Sequence, residues 1–213
     1  MKPAILFDLD GTLWDAADAV SFAWNRTLDR VAPDIAARMT PARMRGYMGQ
    51  SMEQIADDFL KEAPRERRLA LLRQCCEEEN AYVAEHGGIL FPGLEDTLRE
   101  LHGRYALGIV SNCQAGYIEA FFAHHGLQRY FDDYENPGRT GLLKADNIAL
   151  VRSRNGYQPL LYVGDTQGDC DAAAEAGVPF VHAAYGFGRI DRPVPAITAV
   201  TQLPALAREL LGC

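Results

Sequence analysis

The first apolar run of the chain is short and ends in acidic residues. Residues 4–7 (Ala-Ile-Leu-Phe) directly precede Asp8 and Asp10, and such a run predicts a buried β-strand. It is too short for a signal peptide, and acidic residues follow it at once. No segment approaches the roughly 20 apolar residues that a membrane span requires.

A long segment with helical periodicity follows this strand. Apolar residues recur at spacings of three or four at Val20, Trp24, Leu28 and Val31. This spacing is typical of the buried face of an amphipathic helix. Another predicted helix carries Leu69, Leu72 and Cys76. Residues 15–88 therefore appear all-helical in sequence, without a strand pattern.

Capping signals divide this segment into separate helices. Thr40-Pro41 predicts an N-cap followed by proline at the first helical position. Ser51-x-x-Gln54 predicts a capping box that opens a helix ending near Pro64. Gly87-Gly88 predicts the end of the last helix.

Beyond residue 88, strand and helix patterns alternate. The predicted strands span residues 105–110, 160–163 and 180–183. The predicted helices span residues 92–103, 114–125, 144–155, about 166–177 and 204–211. Alternation of this kind indicates βαβ units and a parallel sheet with helices on both faces.

The two patterns predict an α/β fold with an insertion. The core is a Rossmann-like parallel sheet formed by residues 1–14 and 89–213. Residues 15–88 form an all-helical domain inserted after the first strand.

Polar residues follow each predicted strand. Asp8 and Asp10 follow the first, Ser111-Asn112 the second, and Asp165 the third. In open parallel sheets ligands bind outside the carboxyl ends of the strands, so we expect these residues to converge. Carboxylates gathered there would repel one another unless a cation joined them. A few hard oxygen ligands with room for water suit Mg²⁺.

Composition and charge narrow the class of partner. The chain has 213 residues, with 48% apolar and 23% charged, and its net charge is −8. An acidic protein of this kind is a poor partner for nucleic acid or an anionic membrane. The sequence contains five cysteines without C-x-x-C spacing: Cys75, Cys76, Cys113, Cys170 and Cys213. This pattern favours a reducing cytoplasm over a disulfide or zinc framework.

The motifs as a set resemble a known family. Asp8-Leu9-Asp10-Gly11-Thr12 is similar to the D-x-D-G-T signature of the haloacid dehalogenase superfamily of phosphohydrolases. Ser111-Asn112, Lys144 and Gly164-Asp165-Thr166-x-x-Asp169 resemble its other three motifs in order and spacing. The helical segment resembles the cap of the branch that includes phosphoglycolate phosphatase-like enzymes.

The resemblance implies a role for each of these residues. Asp8 would be the nucleophile that forms an aspartyl-phosphate, and Asp10 would protonate the leaving group and then activate water. Thr12 would orient Asp10 by a hydrogen bond. Asp8, the Asp10 backbone oxygen and Asp165 would hold Mg²⁺.

The remaining motifs would hold the phosphate group. Ser111, Asn112 and Lys144 would bind its oxygens, and Asp169 would support the metal site or hold Lys144. Ala145 follows Lys144 where the family often has proline, and Arg139 is a rival cation. However, the chain has only two other lysines, Lys2 and Lys61, and this rarity favours a functional role for the lysine at this position.

The cap residues concern substrate choice. Arg45 and Gln50 are candidate specificity residues, together with Arg43 and Tyr47, because they surround Gly46 and Gly49 between two helical pieces. A solvated basic loop is an equally good interpretation of this stretch.

The sequence therefore predicts a Mg²⁺-dependent phosphatase that hydrolyses a small phosphorylated metabolite, as a monomer or homodimer. A sugar-phosphate mutase of the same branch is the first alternative, but Val20 stands where such enzymes carry a cap histidine. A metal-independent dehalogenase would lack Asp10, and a non-catalytic binding module would lack a nucleophile or a metal ligand.

Overall fold

The computed structural model describes residues 2–212. Its strands are β1 (Lys2–Phe7), β2 (Trp14–Asp15), β3 (Ile89–Leu90), β4 (Ala106–Val110), β5 (Asp133–Glu135), β6 (Tyr157–Gly164), β7 (Phe180–Ala183) and β8 (Ala196–Ile197). Its α-helices are α1 (Ala17–Val31), α2 (Pro41–Tyr47), α3 (Met52–Phe59), α4 (Arg65–His86), α5 (Leu94–His102), α6 (Tyr117–His125), α7 (Pro137–Thr140), α8 (Lys144–Asn155), α9 (Gln167–Glu175) and α10 (Leu203–Leu211).

Six strands form one parallel sheet in the order β5-β4-β1-β6-β7-β8. β1 is central, although it comes first in sequence, and it pairs with β4 on one side and β6 on the other. The carboxyl ends of these three strands therefore lie side by side. The α/β prediction is confirmed.

Alternate residues of β1 face opposite sides of the sheet, as expected for a strand. Ile5 and Phe7 join the hydrophobic core on one face, which continues into the helical segment. Ala4 and Leu6 join the core on the other face, with α8 and α9. Helices thus cover both faces, which explains why β1 has an unbroken apolar sequence.

A short antiparallel pair of strands, β2 before α1 and β3 after α4, connects the helical segment α1–α4 to the rest of the chain. Trp14 and Asp15 in β2 pair with Leu90 and Ile89 in β3. The sequence did not predict these two-residue strands. Asp15 is therefore extended, a correction to the expectation that residues 15–88 are wholly helical. Trp14 is fully buried and packs edge-on against Tyr117 and Phe121.

The predicted caps are present, but two helix bounds differ from the prediction. Thr40 accepts a hydrogen bond from the Arg43 amide, and Ser51 and Gln54 form a reciprocal capping box. α3 ends at Phe59 and not near Pro64, which instead occupies the N-cap position of α4. α6 begins at Tyr117 and not at residue 114, because Gly116 has a φ of 91°.

Two further strands escaped the sequence pattern. β5 has the polar sequence Asp-Tyr-Glu, and β8 has only two residues. Both lie at the edges of the sheet, where the apolar pattern of a buried strand is not required.

The described cysteines and helices add two observations. Cys75, Cys76, Cys113 and Cys170 are free and buried, and Cys213 lies outside the described residues. Within residues 2–212, every helix falls short of the length or the apolar character needed to cross a membrane.

Candidate active site

The carboxyl ends of β4, β1 and β6 bring together the residues predicted from sequence. Asp8 follows β1, Asp165 follows β6, and Ser111 follows β4. All three are buried, with exposed fractions of 2%, 0% and 4%. The Asp8 amide donates to the Val163 carbonyl, which continues the β1–β6 pairing up to Asp8.

Lys144 lies at the centre of this group. Its Nζ is 2.7 Å from Asp8 Oδ1 and 2.5 Å from Asp169 Oδ1. The lysine is 5% exposed, and it begins α8. The rival cation Arg139 lies elsewhere, with its Nε 3.7 Å from Glu135 Oε2. The missing proline after Lys144 therefore does not displace it.

Asp169 is held in place by the first turn of α9. Its Oδ2 accepts hydrogen bonds from the Thr166 amide at 2.9 Å and the Thr166 hydroxyl at 2.7 Å. The Thr166 hydroxyl in turn accepts from the Asp169 amide, forming a capping box. Because both Asp169 oxygens have partners, this residue is placed to orient Lys144.

Asp165 is held differently, with one oxygen bound and one not. Its Oδ2 accepts from the backbone amides of Phe187 and Gly188 at 2.7 and 3.3 Å. Its Oδ1 is buried and has no hydrogen-bond partner among the described residues. A buried carboxylate oxygen without a donor is costly unless a cation supplies the missing interaction.

Gly11 permits the close approach of the Asp8 loop to Asp165. Its φ is +80°, and a Cβ there would lie 2.3 Å from Asp165 Oδ2. Any side chain would therefore push the two loops apart. The glycine of the first motif is a packing requirement of the site.

Burial and mutual repulsion raise the pKa values of Asp8 and Asp165. Burial, with the charge of Asp169, raises the pKa of Asp8 to about 6 despite the opposing effect of Lys144. Burial, with the charges of Asp8 and Asp169, raises the pKa of Asp165 to about 8. Burial would lower the pKa of Lys144, but Asp169 and Asp8 hold it well above the usual value. The site thus holds more negative charge than one lysine balances.

The carboxyl group of Asp10 is bound by a residue that the sequence did not single out. Tyr117 Oη donates to Asp10 Oδ1 at 3.0 Å, in a buried contact. Burial and Asp8 raise the pKa of Asp10 well above its usual value, and the Tyr117 hydrogen bond opposes that shift.

The predicted role of Thr12 is wrong. Its hydroxyl is buried without a partner among the described residues, while its backbone carbonyl accepts from Tyr185 Oη at 2.8 Å. Tyr117 takes the orienting role because α6 passes directly beside the Asp10 carboxyl group.

Ser111 and Asn112 lie beside Asp8, but the Asn112 side chain has another contact. Its Nδ2 donates to the Gly49 carbonyl at 3.0 Å, which ties the helical segment to the sheet. Gly49 has a φ of +86°, and a Cβ there would lie 3.0 Å from the Thr166 hydroxyl. The loop between α2 and α3 therefore rests closely on the predicted site.

The structure separates the two candidate specificity residues. Gln50 lines the cavity above Asp8 and Asp10. Arg45 does not line it, since its guanidinium binds Asp15 at 2.8 Å and Asp18 at 2.9 Å. Arg43 also faces away and binds Tyr47 Oη and Asp58.

The cavity contains residues of the helical segment that sequence reasoning missed. Glu79 of α4 is 3% exposed and lines the cavity. Its Oε2 accepts from Trp24 Nε1 at 2.5 Å, and its Oε1 accepts from Gln114 Nε2 at 3.0 Å. Burial raises the pKa of Glu79 to about 7, against the effect of these two donors. The sequence feature that could have identified Glu79 is its position on the apolar face of the helix α4.

A hard divalent cation fits the carboxylate group. One oxygen each from Asp8, Asp165 and Asp169 lie within 4.8 Å of one another. The two carboxylate oxygens of Asp169 already accept hydrogen bonds from Lys144 and Thr166. Asp8 and the unpartnered Oδ1 of Asp165 are thus the side-chain oxygens best placed to bind an ion.

Comparisons with known proteins agree with this geometry. A sequence model of the family described as haloacid dehalogenase-like hydrolase matches residues 5–183. The phosphoglycolate phosphatase of Salmonella typhimurium is 29% identical over 215 residues, covering 86% of this chain and 81% of that protein. The phosphoglycolate phosphatase of Shigella sonnei is 30% identical, with the same coverage.

A solved structure has the same fold. It is a predicted phosphoglycolate phosphatase from Haemophilus somnus, with a TM-score of 0.79 and 20% identity. The match covers 96% of this chain and 97% of that one.

The raised pKa values predict that the metal-free protein becomes less stable as pH rises. Asp8 and Asp165 have folded pKa values of about 6 and about 8, against an ordinary value of 3.8. Between pH 3.8 and the folded pKa of each group, the native state binds more protons than the unfolded state. The free energy of unfolding should therefore fall from about pH 4 to pH 8, by up to roughly 1.4 kcal/mol per pH unit for each retained proton.

Urea denaturation in the presence of EDTA measures this dependence. Asp165→Asn should make the decline between about pH 6 and pH 8 shallower, because Asp165 keeps its proton in the folded state up to about pH 8. A profile that is flat or rising between pH 4 and pH 8 would contradict the assignment of excess buried negative charge.

Proposed function

The chain belongs to the haloacid dehalogenase-like hydrolases, and on that premise we propose that it is a Mg²⁺-dependent phosphatase acting on a small phosphomonoester. The observation that carries this proposal is the contact of Lys144 Nζ with Asp8 Oδ1 at 2.7 Å, beside the unpartnered Asp165 oxygen. A carboxylate nucleophile next to a fixed cation and a metal-binding oxygen is an arrangement suited to phosphoryl transfer through a covalent intermediate.

In the first half of the proposed reaction, the Asp8 carboxylate attacks phosphorus. The bond from phosphorus to the ester oxygen breaks as the bond to Asp8 forms, which gives an aspartyl-phosphate. Protonated Asp10 donates its proton to the departing oxygen, and the alcohol leaves. The raised pKa of Asp10 favours the protonated form that this step uses.

In the second half, Asp10 acts as a base. Its carboxylate takes a proton from water, and the water oxygen attacks phosphorus. The bond from phosphorus to Asp8 breaks, inorganic phosphate is released, and Asp10 is protonated for the next cycle. Tyr117 fixes the direction of the Asp10 carboxyl group through both halves.

Three further residues would bind the transferred phosphate. The Ser111 hydroxyl and the backbone amide of Asn112 would donate to its oxygens at the end of β4. Lys144 would reduce the repulsion between Asp8 and the phosphate, and Asp169 keeps the lysine in this position.

Mg²⁺ would be held by Asp8, Asp165 and the backbone carbonyl of Asp10. When bound, it would offset the negative charge of the carboxylates and the phosphate. The unpartnered Oδ1 of Asp165 supports this assignment.

Residues 15–88 would act as a cap that closes over the phosphate site. The Asn112–Gly49 hydrogen bond and the position of Gln50 in the cavity support this role. The cap excludes water from the site, which favours transfer to Asp8 before hydrolysis.

Val20 supports hydrolysis over a mutase reaction. It lines the cavity and is 3% exposed, but its side chain cannot exchange a proton with a sugar hydroxyl. Passage of labelled phosphate between two sugar positions without release to water would favour the mutase alternative.

Substitution of the two aspartates tests the proposed mechanism. Asp8→Asn should abolish phosphate release, because the nucleophile is lost. Asp10→Asn should lower kcat by about 100-fold or more, the usual contribution of general acid–base catalysis. It should still bind Mg²⁺, because its backbone carbonyl is unchanged.

Phosphate release from a panel of phosphorylated metabolites, with Mg²⁺ or with EDTA, is the assay. Activity should require Mg²⁺ and should be absent in Asp8→Asn. Activity that survives EDTA, or an Asp10→Asn enzyme with a near wild-type rate, would refute the proposal.

Tyr117→Phe should move the acidic limb of the kcat profile to higher pH. Its hydrogen bond lowers the pKa of Asp10, so removing it raises that pKa, and less Asp10 is ionised at a given acidic pH. One hydrogen bond corresponds to a shift of roughly one pH unit.

Tyr185→Phe is the matched control, because its hydroxyl binds the same loop at the Thr12 carbonyl and not at Asp10. The pH profile of this control should match that of the wild type. An unchanged limb in Tyr117→Phe, or an equal shift in Tyr185→Phe, would contradict the assigned role of Tyr117.

A further inference from the structure

The cavity above Asp8 and Asp10 is small and mostly apolar. Its free volume is about 40 Å³, which leaves room for only a few heavy atoms. The side chains from the helical segment that line it are mainly apolar: Val20, Trp24, Met44, Met48, Met52 and Ile55. Because Asp8 binds the phosphate, this part of the cavity must receive the leaving group.

No cation faces this leaving-group space. Within residues 2–212, none of the side chains that line the cavity is an arginine, lysine or histidine. The nearest arginines in sequence to the α2–α3 loop are engaged elsewhere, Arg43 with Asp58 and Arg45 with Asp15 and Asp18. A second anionic group on the substrate would therefore have no partner of opposite charge.

The cavity instead contains a carboxyl group. Glu79 lies on the buried face of α4, and its two oxygens accept from Trp24 and Gln114. These donors fix its direction, and each carboxylate oxygen has a further lone pair that can accept from a substrate. Its charge also acts on Asp10, whose pKa it raises along with burial and Asp8. Glu79 and Asp10 line the same cavity, so Glu79 faces the space that the departing group enters.

We infer, on the basis of the proposed phosphatase function, that the substrate is the phosphate ester of a small, uncharged, hydroxyl-bearing alcohol. Glu79 accepts a hydrogen bond from that hydroxyl group and disfavours a carboxylate or a second phosphate at the same position. Phosphoglycolate, from which the sequence relatives take their name, carries a carboxylate at that position and is a poor substrate of this chain.

The charge balance supports this choice. A leaving-group carboxylate would be placed in a desolvated space beside Glu79, where no cationic side chain of residues 2–212 lines the cavity, and a buried charge without a partner is strongly disfavoured. A hydroxyl group satisfies the Glu79 oxygen and adds no charge. Sites that hydrogen-bond a substrate hydroxyl discriminate more strongly than apolar pockets do.

A groove beside this cavity is lined by one cationic side chain, Arg73, together with the acidic residues Glu53 and Glu77. A longer substrate with an anionic tail would have to pass Met52 and Gln114 to reach Arg73, because these residues line both spaces. The experiment therefore includes a test of Arg73.

A matched substrate pair tests the inference. 2-Hydroxyethyl phosphate and 2-phosphoglycolate have the same two carbons and differ in a hydroxymethyl group against a carboxylate. The kcat/KM of the wild-type enzyme with Mg²⁺ should favour 2-hydroxyethyl phosphate by at least about tenfold. Glycerol 3-phosphate against 3-phosphoglycerate repeats the comparison with three carbons and should give the same preference.

Glu79→Gln keeps the size of the side chain and removes its charge. It should reduce the preference for the hydroxyl-bearing substrate several-fold, mainly by raising kcat/KM for 2-phosphoglycolate. Glu77→Gln is the matched control, since this exposed residue lies on the same helix outside the cavity. Glu77→Gln and Arg73→Ala should both leave the preference unchanged.

The outcomes separate this inference from the proposed function. Asp8-dependent hydrolysis in which 2-phosphoglycolate equals or exceeds 2-hydroxyethyl phosphate would overturn the substrate class and leave the phosphatase proposal intact. A preference that is lost in Arg73→Ala and kept in Glu79→Gln would also overturn it. Absence of Asp8-dependent phosphate release from every ester, including p-nitrophenyl phosphate, would overturn both.

Discussion

The buried ammonium group of Lys144, held between Asp8 and Asp169, is the contact on which the site depends. It joins β1, α8 and α9 at the carboxyl edge of the sheet and offsets part of the charge gathered there. It does not offset all of it, because Asp8, Asp10 and Asp165 have raised pKa values in its presence. By this reasoning the metal-free site is destabilised as pH rises, and a bound cation would relieve the repulsion.

The helical segment completes the site from the opposite side. Its α2–α3 loop contacts the sheet through Gly49, and α4 brings Glu79 into the closed cavity. In the proposed reaction, chemistry and substrate choice would be divided between two parts of the chain. The strand ends would carry out phosphoryl transfer, and the helices would determine the size and charge of the leaving group.

Strand periodicity and motif spacing were enough to predict the sheet and the residues that meet at its edge. Lys144 was predicted from its resemblance to the third motif of the family, supported by the rarity of lysine in this chain, and the structure places it against Asp8. Tyr117 was not, because its contact with Asp10 depends on how α6 packs over the first loop. The same limit explains the wrong role given to Thr12, whose position in the motif does not fix the direction of its hydroxyl group.

Among the site residues that were not predicted, Glu79 is the one that the sequence pattern could have identified. It continues the apolar face of Leu72, Cys76 and Val83 on α4, where a glutamate is out of place unless it is paired or functional. Arg45 gave the opposite outcome, since its guanidinium group contacts Asp15 and Asp18 and does not line the cavity. The local sequence pattern identifies which positions are buried. The residue that each of them contacts in another part of the chain follows only from the fold.

The release of protons on Mg²⁺ binding tests the central claim, that the buried carboxylates hold excess charge for a cation, most directly. It is measured by isothermal titration calorimetry at pH 7 in two buffers with different ionisation enthalpies. Because the pKa of Asp165 is about 8, binding should release about one proton per ion at pH 7, and fewer as pH rises beyond 8. Binding without proton release at pH 7, or binding that is unaffected by Asp165→Asn, would contradict the account.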